Sequence, residues 1–86
     1  MILKEFLDEV SDGQFISLKI GEYGFGIAHS FRKYRVNRSS KLLDCKVQSI
    51  GSSFINDRII INVCIELENL NYIKDFFNGY WLCLKL

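Results

Sequence analysis

Six cations fall within the fifteen positions from 32 to 46, and they are the residues of this chain best suited to contact a partner directly. The segment reads RKYRVNRSSKLLDCK, and Asp44 is its one acidic residue. Guanidinium and ammonium groups bind phosphate and carboxylate oxygens, while Phe31 and Tyr34 add aromatic surface on which bases can stack. The cations of this basic segment are Arg32, Lys33, Arg35, Arg38, Lys41 and Lys46.

Two partner classes fit this pattern of cations. A nucleic acid offers a row of phosphates, although the net charge of only +1 is low for a dedicated nucleic-acid-binding domain. The acidic surface of a protein or ribonucleoprotein offers carboxylates, which arginine binds through two parallel hydrogen bonds. We expect the second class and keep nucleic acid as the alternative; an ordinary solvated loop without a partner is the third interpretation. The predicted contact residues in the segment are Arg32, Lys33, Tyr34, Arg35, Arg38 and Lys41.

Aromatic residues cluster near the C-terminus, with five rings in the ten positions from 72 to 81. Packing against the core is one interpretation of this cluster. The other is a surface that faces a partner or a second copy, because tyrosine, tryptophan and phenylalanine contribute strongly to interfaces. On the second interpretation, Tyr80 and Trp81 join the predicted partner-binding residues.

Residues with catalytic or metal-binding chemistry are sparse. His29 is the single histidine, and Cys45, Cys64 and Cys83 stand nineteen positions apart instead of in a close pair such as C-x2-C. A zinc site generally needs such a pair, because one tight turn must direct both sulfurs to one ion. A cysteine nucleophile would need a base and an orienting third group, and the sequence offers no such set. We therefore predict no catalytic residue, no metal, no cofactor and no enzyme activity.

Hydrophobic periodicity predicts a helix and two hairpins. Residues 2–11 repeat at helical spacing, and Asp12-Gly13 would end that helix. Residues 14–29 alternate with a turn at 21–24, which is typical of a β-hairpin. A second hairpin is expected from 45–55 and 58–67, with Asn56-Asp57 as its turn; one face of its second strand would carry Ile59, Ile61, Val63, Ile65 and Leu67. Between the hairpins, Ser39 is expected to cap a short helical turn that runs to Leu43.

The pattern of residues 67–77 fits a second helix near the C-terminus, with Asn78-Gly79 as its end and 80–86 as a last strand. The alternative is a hairpin that turns at Asn78-Gly79. We expect the helix. The predicted fold class is therefore α+β, with the N-terminal helix packed on a small antiparallel β-sheet.

The length and composition constrain organisation and location. Eighty-six residues predict a single domain, 1–86. A hydrophobic share of 49% is high for so small a chain, so we expect a protein interface or a homodimer to cover part of the apolar surface. Charges at positions 4, 5, 8 and 9 interrupt the apolar start, and no apolar run reaches the length of a membrane span. These features predict a cytoplasmic protein without membrane contact.

Three segments carry a resemblance to a known group of proteins. LKEFLDEVSD, LLDCKVQSI and IIINVCIEL resemble segments of small proteins of Firmicutes prophages and mobile elements, and the likeness spans about residues 1–65. The resemblance implies a helix followed by a compact antiparallel sheet. It also implies a non-enzymatic inhibitor, of the anti-CRISPR or anti-defence type, that occupies the surface of a host protein or ribonucleoprotein machine in the host cytoplasm. Residues 30–41 and the aromatic tail depart from the pattern of that group.

Overall fold

The computed structural model describes residues 1–21, 25–66 and 76, which form an N-terminal helix, two short 3-10 helices and a four-stranded sheet. The expected C-terminal helix, the alternative hairpin at Asn78-Gly79, Tyr80 and Trp81 all lie outside the described residues. Within the described part, no helix is both long and apolar enough to cross a bilayer. The elements are α1 Leu3–Glu9, β1 Phe15–Ile20, β2 Phe25–Phe31, the first 3-10 helix Lys33–Arg35, the second 3-10 helix Lys41–Asp44, β3 Val47–Ile55 and β4 Arg58–Ile65.

Helix α1 forms because its apolar residues share one face. Leu3, Phe6 and Leu7 are buried, and the Glu5 carboxylate accepts a hydrogen bond of 3.0 Å from the Ile2 backbone N–H at the helix start. The predicted end at Asp12-Gly13 is wrong. The chain leaves the helix after Glu9 through an extended residue 10 (φ −85°, ψ 142°), so no left-handed glycine is needed there.

The sheet has the strand order β2-β1-β4-β3 and contains both predicted hairpins. β1 pairs antiparallel with β2, and β3 pairs antiparallel with β4 across a turn in which Asn56 (φ 49°) and Asp57 (φ 62°) are both left-handed. Asparagine and aspartate tolerate this conformation, which a type I′ turn requires at both central positions. The α+β class and the N-terminal helix packed on the sheet are confirmed.

The central pair of strands corrects the expectation of a fully antiparallel sheet. β1 and β4 run parallel, with Phe15 opposite Ile60 and Ile20 opposite Ile65, so the sheet is mixed. Parallel neighbours need a crossover connection, because the chain must return to the other end of the sheet. Residues 32–46 make that return from the end of β2 to the start of β3. The basic segment is thus a crossover along the sheet, not a simple loop between hairpins.

The core lies between the sheet and a layer formed by α1 and the crossover. We call the sheet surface under this layer the core face and the opposite surface the open face. Val36, Leu42 and Leu43 of the crossover are buried beside Leu7 and Val63, so the same segment that carries the cations also supplies core residues. Its second 3-10 helix is capped by Ser40, whose hydroxyl accepts from the Leu42 N–H at 3.2 Å, one residue after the predicted cap Ser39.

The strand β4 shows the predicted alternation over most of its length. Val63 and Ile65 are fully buried on the core face and Ile61 is half-buried, but Ile59 is 60% exposed because it lies beyond the helix layer. Ile60 is only 5% exposed although it lies on the open face, where it pairs with Phe15. The open face is therefore partly covered at this end of the sheet.

Candidate functional site

A cavity of about 330 Å³ opens at the end of the sheet where β1 and β4 begin and β2 ends. The first residues of the crossover complete its wall. We call this cavity the arginine pocket. It is lined by Phe15, His29, Ser30, Phe31, Arg32, Tyr34, Arg35 and Arg58.

The floor of the arginine pocket is the ring of Phe15, which two guanidinium groups contact. The Cζ atom of Arg32 lies 4.7 Å from the ring centroid and that of Arg58 lies 4.6 Å from it. Arg32 comes from the crossover, whereas Arg58 comes from the start of β4, two residues before the partner of Phe15 in the parallel pair. Stacking on an aromatic face orients a guanidinium group without using its N–H donors. Those donors stay available for an acceptor.

The charge of the arginine pocket is positive. Arg32, Arg35 and Arg58 line one cavity, and within the described part of the chain neither Arg32 nor Arg58 forms an ion pair with a carboxylate. The guanidinium groups of Arg32 and Arg58 repel each other, and an anion between them would offset that repulsion. Carboxylate and phosphate are the two groups whose geometry matches the fork of N–H donors on arginine. The arrangement fits an anion-binding site.

A bulge in β2 shapes one wall of the pocket. The β1–β2 register shifts between Ile16 and Leu18, and Ser30 adopts a left-handed conformation with φ 51°. The hydroxyl of Ser17, which is 5% exposed, accepts a hydrogen bond of 3.2 Å from the Ser30 backbone N–H. Bulges re-aim side chains at strand ends. This bond therefore holds His29 and Ser30 at the rim of the pocket.

Replacing Ser17 with alanine is expected to lower the free energy of unfolding by about 1 kcal/mol, because the Ser30 N–H loses its acceptor in a part-buried place. Urea denaturation followed by circular dichroism would measure the change. Ser17→Thr keeps the hydroxyl and is the matched control. Equal stability of the alanine and threonine variants would contradict the role assigned to this hydrogen bond.

The structure separates the predicted cations of the basic segment into two groups. Arg32 and Arg35 line the pocket together with Tyr34, whose side chain is 61% exposed. Lys33 instead donates to the Val10 carbonyl and forms an ion pair of 3.3 Å with Asp12. The side chain of Lys33 is only 17% exposed, so its ammonium group fastens the crossover to the end of α1.

Arg38 and Lys41 lie farther along the crossover. Arg38 reaches back to Asp8 on α1 at 3.2 Å, and both side chains are about half exposed, so this pair is screened by solvent and contributes little to stability. Lys41 starts the second 3-10 helix and is exposed. Neither lines the arginine pocket. Tyr80 and Trp81 remain predictions outside the described residues.

Sequence reasoning missed four residues of the pocket: Phe15, His29, Ser30 and Arg58. The turn at Asn56-Asp57 marks Arg58 as the first residue of its strand, which is a usable signal for the end of a sheet. The parallel pairing that brings Arg58 to Phe15 has no local signature. His29 carries no signal in the sequence beyond being the single histidine. Among the described residues no three His, Cys, Asp or Glu side chains are grouped as metal ligands would be.

Comparisons of this chain with protein-family models, with curated proteins and with solved structures found no match.

Proposed function

We propose that this chain is a non-enzymatic binding protein that docks on a larger host protein or ribonucleoprotein and modulates it by occupying an acidic surface. The arginine pocket is the centre of the contact. The observation that carries the proposal is the pair of guanidinium groups held on the Phe15 ring, without a carboxylate partner in the described part of the chain. Inhibition of a defence machine, as an anti-CRISPR protein does, is the specific form that the resemblance to prophage proteins favours.

The distribution of the cations supports a carboxylate-bearing partner over a nucleic acid. Arg32 and Arg58 converge on one cavity, whereas Lys33 and Arg38 turn back to Asp12 and Asp8 of their own chain. A protein that follows a nucleic-acid backbone instead needs a continuous row of cations. A converging set suits a single acidic side chain inserted from a partner, much as charged residues in desolvated pockets anchor protein interfaces.

The test compares two double variants that remove the same charge. Arg32→Ala with Arg58→Ala removes two cations that line the pocket. Lys41→Ala with Lys46→Ala removes two cations outside the pocket. Each charge-assisted hydrogen bond contributes about 1.5–3 kcal/mol, so the arginine variant should bind a fluorescein-labelled glutamate-rich peptide at least ~10-fold more weakly. The lysine variant should bind within about threefold of the wild type. Fluorescence anisotropy measures both affinities.

Equal losses in the two variants would show that overall charge, not the pocket, drives binding, and this outcome would overturn the proposal. The same two double variants can be compared in the host cell. A partner recovered with the tagged wild-type protein should be lost with the arginine variant and kept with the lysine variant.

Nucleic acid is the second candidate, and one observation favours it. Tyr34 is 61% exposed beside the guanidinium groups of the pocket, which places a stacking surface next to phosphate-binding groups. This candidate predicts that log affinity for a single-stranded oligonucleotide falls linearly with log salt, with a slope set by the number of phosphates neutralised. Tyr34→Ala should weaken that binding, and Tyr34→Phe should preserve it. Absence of any complex at ~50 mM salt would exclude it.

A further inference from the structure

The arginine pocket carries more positive charge than one carboxylate can balance. Arg32 and Arg58 line it, and neither forms an ion pair within the described part of the chain. An aspartate or glutamate side chain brings one negative charge and two acceptor oxygens. A phosphate monoester brings a charge of about −1.5 to −2 at neutral pH and three acceptor oxygens. A phosphate monoester therefore matches the two guanidinium groups more closely than a carboxylate does.

The two guanidinium groups lie close enough together to share one phosphate. Each Cζ atom lies within 4.7 Å of the ring centroid of Phe15, so the two Cζ atoms are separated by less than twice that distance. That span accommodates a phosphate that accepts hydrogen bonds of about 2.8 Å from both groups. Stacking on the ring keeps both guanidinium groups in place before the ligand arrives, so little side-chain entropy is lost on binding.

The pocket also has polar groups that a phosphate alone would leave unused. His29 and Ser30 line it, both residues are exposed, and their side chains have no hydrogen-bond partner among the described residues. The imidazole packs over Gly26, where a Cβ atom would come within 2.9 Å of the Cε1 and Nε2 atoms of His29. Glycine thus leaves room for the ring. A hydroxyl and an imidazole both suit the hydroxyl groups of a sugar, which donate and accept hydrogen bonds.

Tyr34 adds a surface on which a base can stack. It is 61% exposed and lines the same cavity. Every nucleobase has a π face, so stacking on such a ring tolerates any base. The cavity volume of about 330 Å³ lies at the lower end of the range for small-ligand sites, about 300–1,000 Å³. The pocket therefore suits one small ligand that combines a phosphate, polar hydroxyls and an aromatic ring.

We infer that the arginine pocket binds a free nucleoside monophosphate. The phosphate lies between Arg32 and Arg58, the ribose hydroxyls contact Ser30 and His29, and the base stacks on Tyr34. A nucleic-acid backbone needs a continuous row of cations, whereas a mononucleotide has one phosphate and needs one site. The two arginines that converge on this cavity provide such a site.

This ligand regulates the proposed function, because the nucleotide and the acidic side chain of a partner need the same guanidinium groups. The competition between them rests on the proposed function, whereas binding of the nucleotide does not. Binding of the nucleotide without binding of the glutamate-rich peptide would support the inference and remove the proposed function. Binding of the peptide without binding of the nucleotide would overturn the inference and leave the proposed function intact.

The first experiment titrates the wild-type protein with AMP by isothermal titration calorimetry, over concentrations that detect dissociation constants from about 1 µM to about 1 mM. Three further ligands each lack one part of AMP: adenosine lacks the phosphate, ribose 5-phosphate lacks the base and phenyl phosphate lacks the ribose. Each should bind at least ~3-fold more weakly than AMP. AMP should also displace the labelled glutamate-rich peptide.

Two outcomes of this series would overturn the inference. One is the absence of AMP binding at ~1 mM. The other is equal affinity for phenyl phosphate and AMP, which would show that the ribose contributes nothing and would assign the pocket to an aryl phosphate, such as a phosphorylated tyrosine of a partner protein.

The second experiment assigns the contacts with variants. Arg32→Ala with Arg58→Ala should weaken AMP binding at least ~10-fold, and Lys41→Ala with Lys46→Ala should keep it within about threefold. Tyr34→Ala should weaken AMP binding ~5-fold or more and leave that of ribose 5-phosphate unchanged, because ribose 5-phosphate has no base. Tyr34→Phe keeps the ring and should retain the affinity. Equal losses in the two double variants, or equal losses of both ligands in Tyr34→Ala, would overturn the assigned site.

Discussion

Replacing Phe31 with alanine is expected to lower the free energy of unfolding by about 3–5 kcal/mol, which is the cost of removing a buried aromatic side chain. Phe31 is 5% exposed at the end of β2, where it pairs with Ile16. Its ring meets that of Phe76 edge to face, with centroids 5.5 Å apart and an interplanar angle of 89°. Urea denaturation followed by circular dichroism would measure the loss.

The effect of this change extends to the site, because Phe31 also lines the arginine pocket. A small domain has a stability of only about 5 kcal/mol, so Phe31→Ala would leave a large unfolded fraction at 25 °C. Phe31→Leu retains most of the buried volume and should cost about 1–2 kcal/mol. Its binding of the glutamate-rich peptide should stay close to that of the wild type. A loss below 1 kcal/mol for the alanine variant would contradict the burial of this ring.

The second large effect is expected at the interface between α1 and the sheet. Leu7 is fully buried, and Leu7→Ala should lower the free energy of unfolding by about 2–5 kcal/mol through lost burial and the cavity left behind. Lys4, on the exposed face of the same helix, is the control, and Lys4→Ala should change stability by less than about 0.5 kcal/mol. Both are measured by urea denaturation.

Hydrogen exchange would add a local test of the same helix. The Leu3 backbone N–H donates to the Cys45 carbonyl at 2.9 Å, which ties the start of α1 to the end of the crossover. In the wild type this amide should exchange nearly as slowly as the central strands. In Leu7→Ala its protection should fall with the global stability. Fast exchange at Leu3 in the wild type would show that α1 opens independently of the sheet.

Local elements of this fold could be predicted from the sequence, because their signals lie within a few residues. The turn at Asn56-Asp57 needs two residues that tolerate a left-handed backbone, and both are present between alternating strands. The parallel pairing of β1 with β4 could not be predicted. Its partners lie far apart along the chain, and alternation is the same for parallel and antiparallel neighbours at this strand length.

The candidate site, like the fold, could be predicted from the sequence only in part. The composition of the basic segment predicted Arg32, Tyr34 and Arg35 as contact residues, but it could not distinguish them from the other cations of that segment. The structure distinguishes Lys33, the first residue of the first 3-10 helix, because its ammonium group contacts Asp12 and the Val10 carbonyl. Arg58 could not be assigned to the same site, since its proximity to Phe15 depends on the register of the parallel pair.

The parallel junction between the two hairpins also has a consequence for folding kinetics. Each hairpin closes over a short loop and can form within about 1–10 µs. The junction is different: the hydrogen bond from the Gln14 side chain to the Ile59 carbonyl joins residues that lie 45 positions apart in the sequence. Contacts of such sequence separation require loop closure before they stabilise the chain, and they slow folding. Pairing of β1 with β4, together with packing of the crossover on the core face, is therefore expected to be the rate-limiting step in folding.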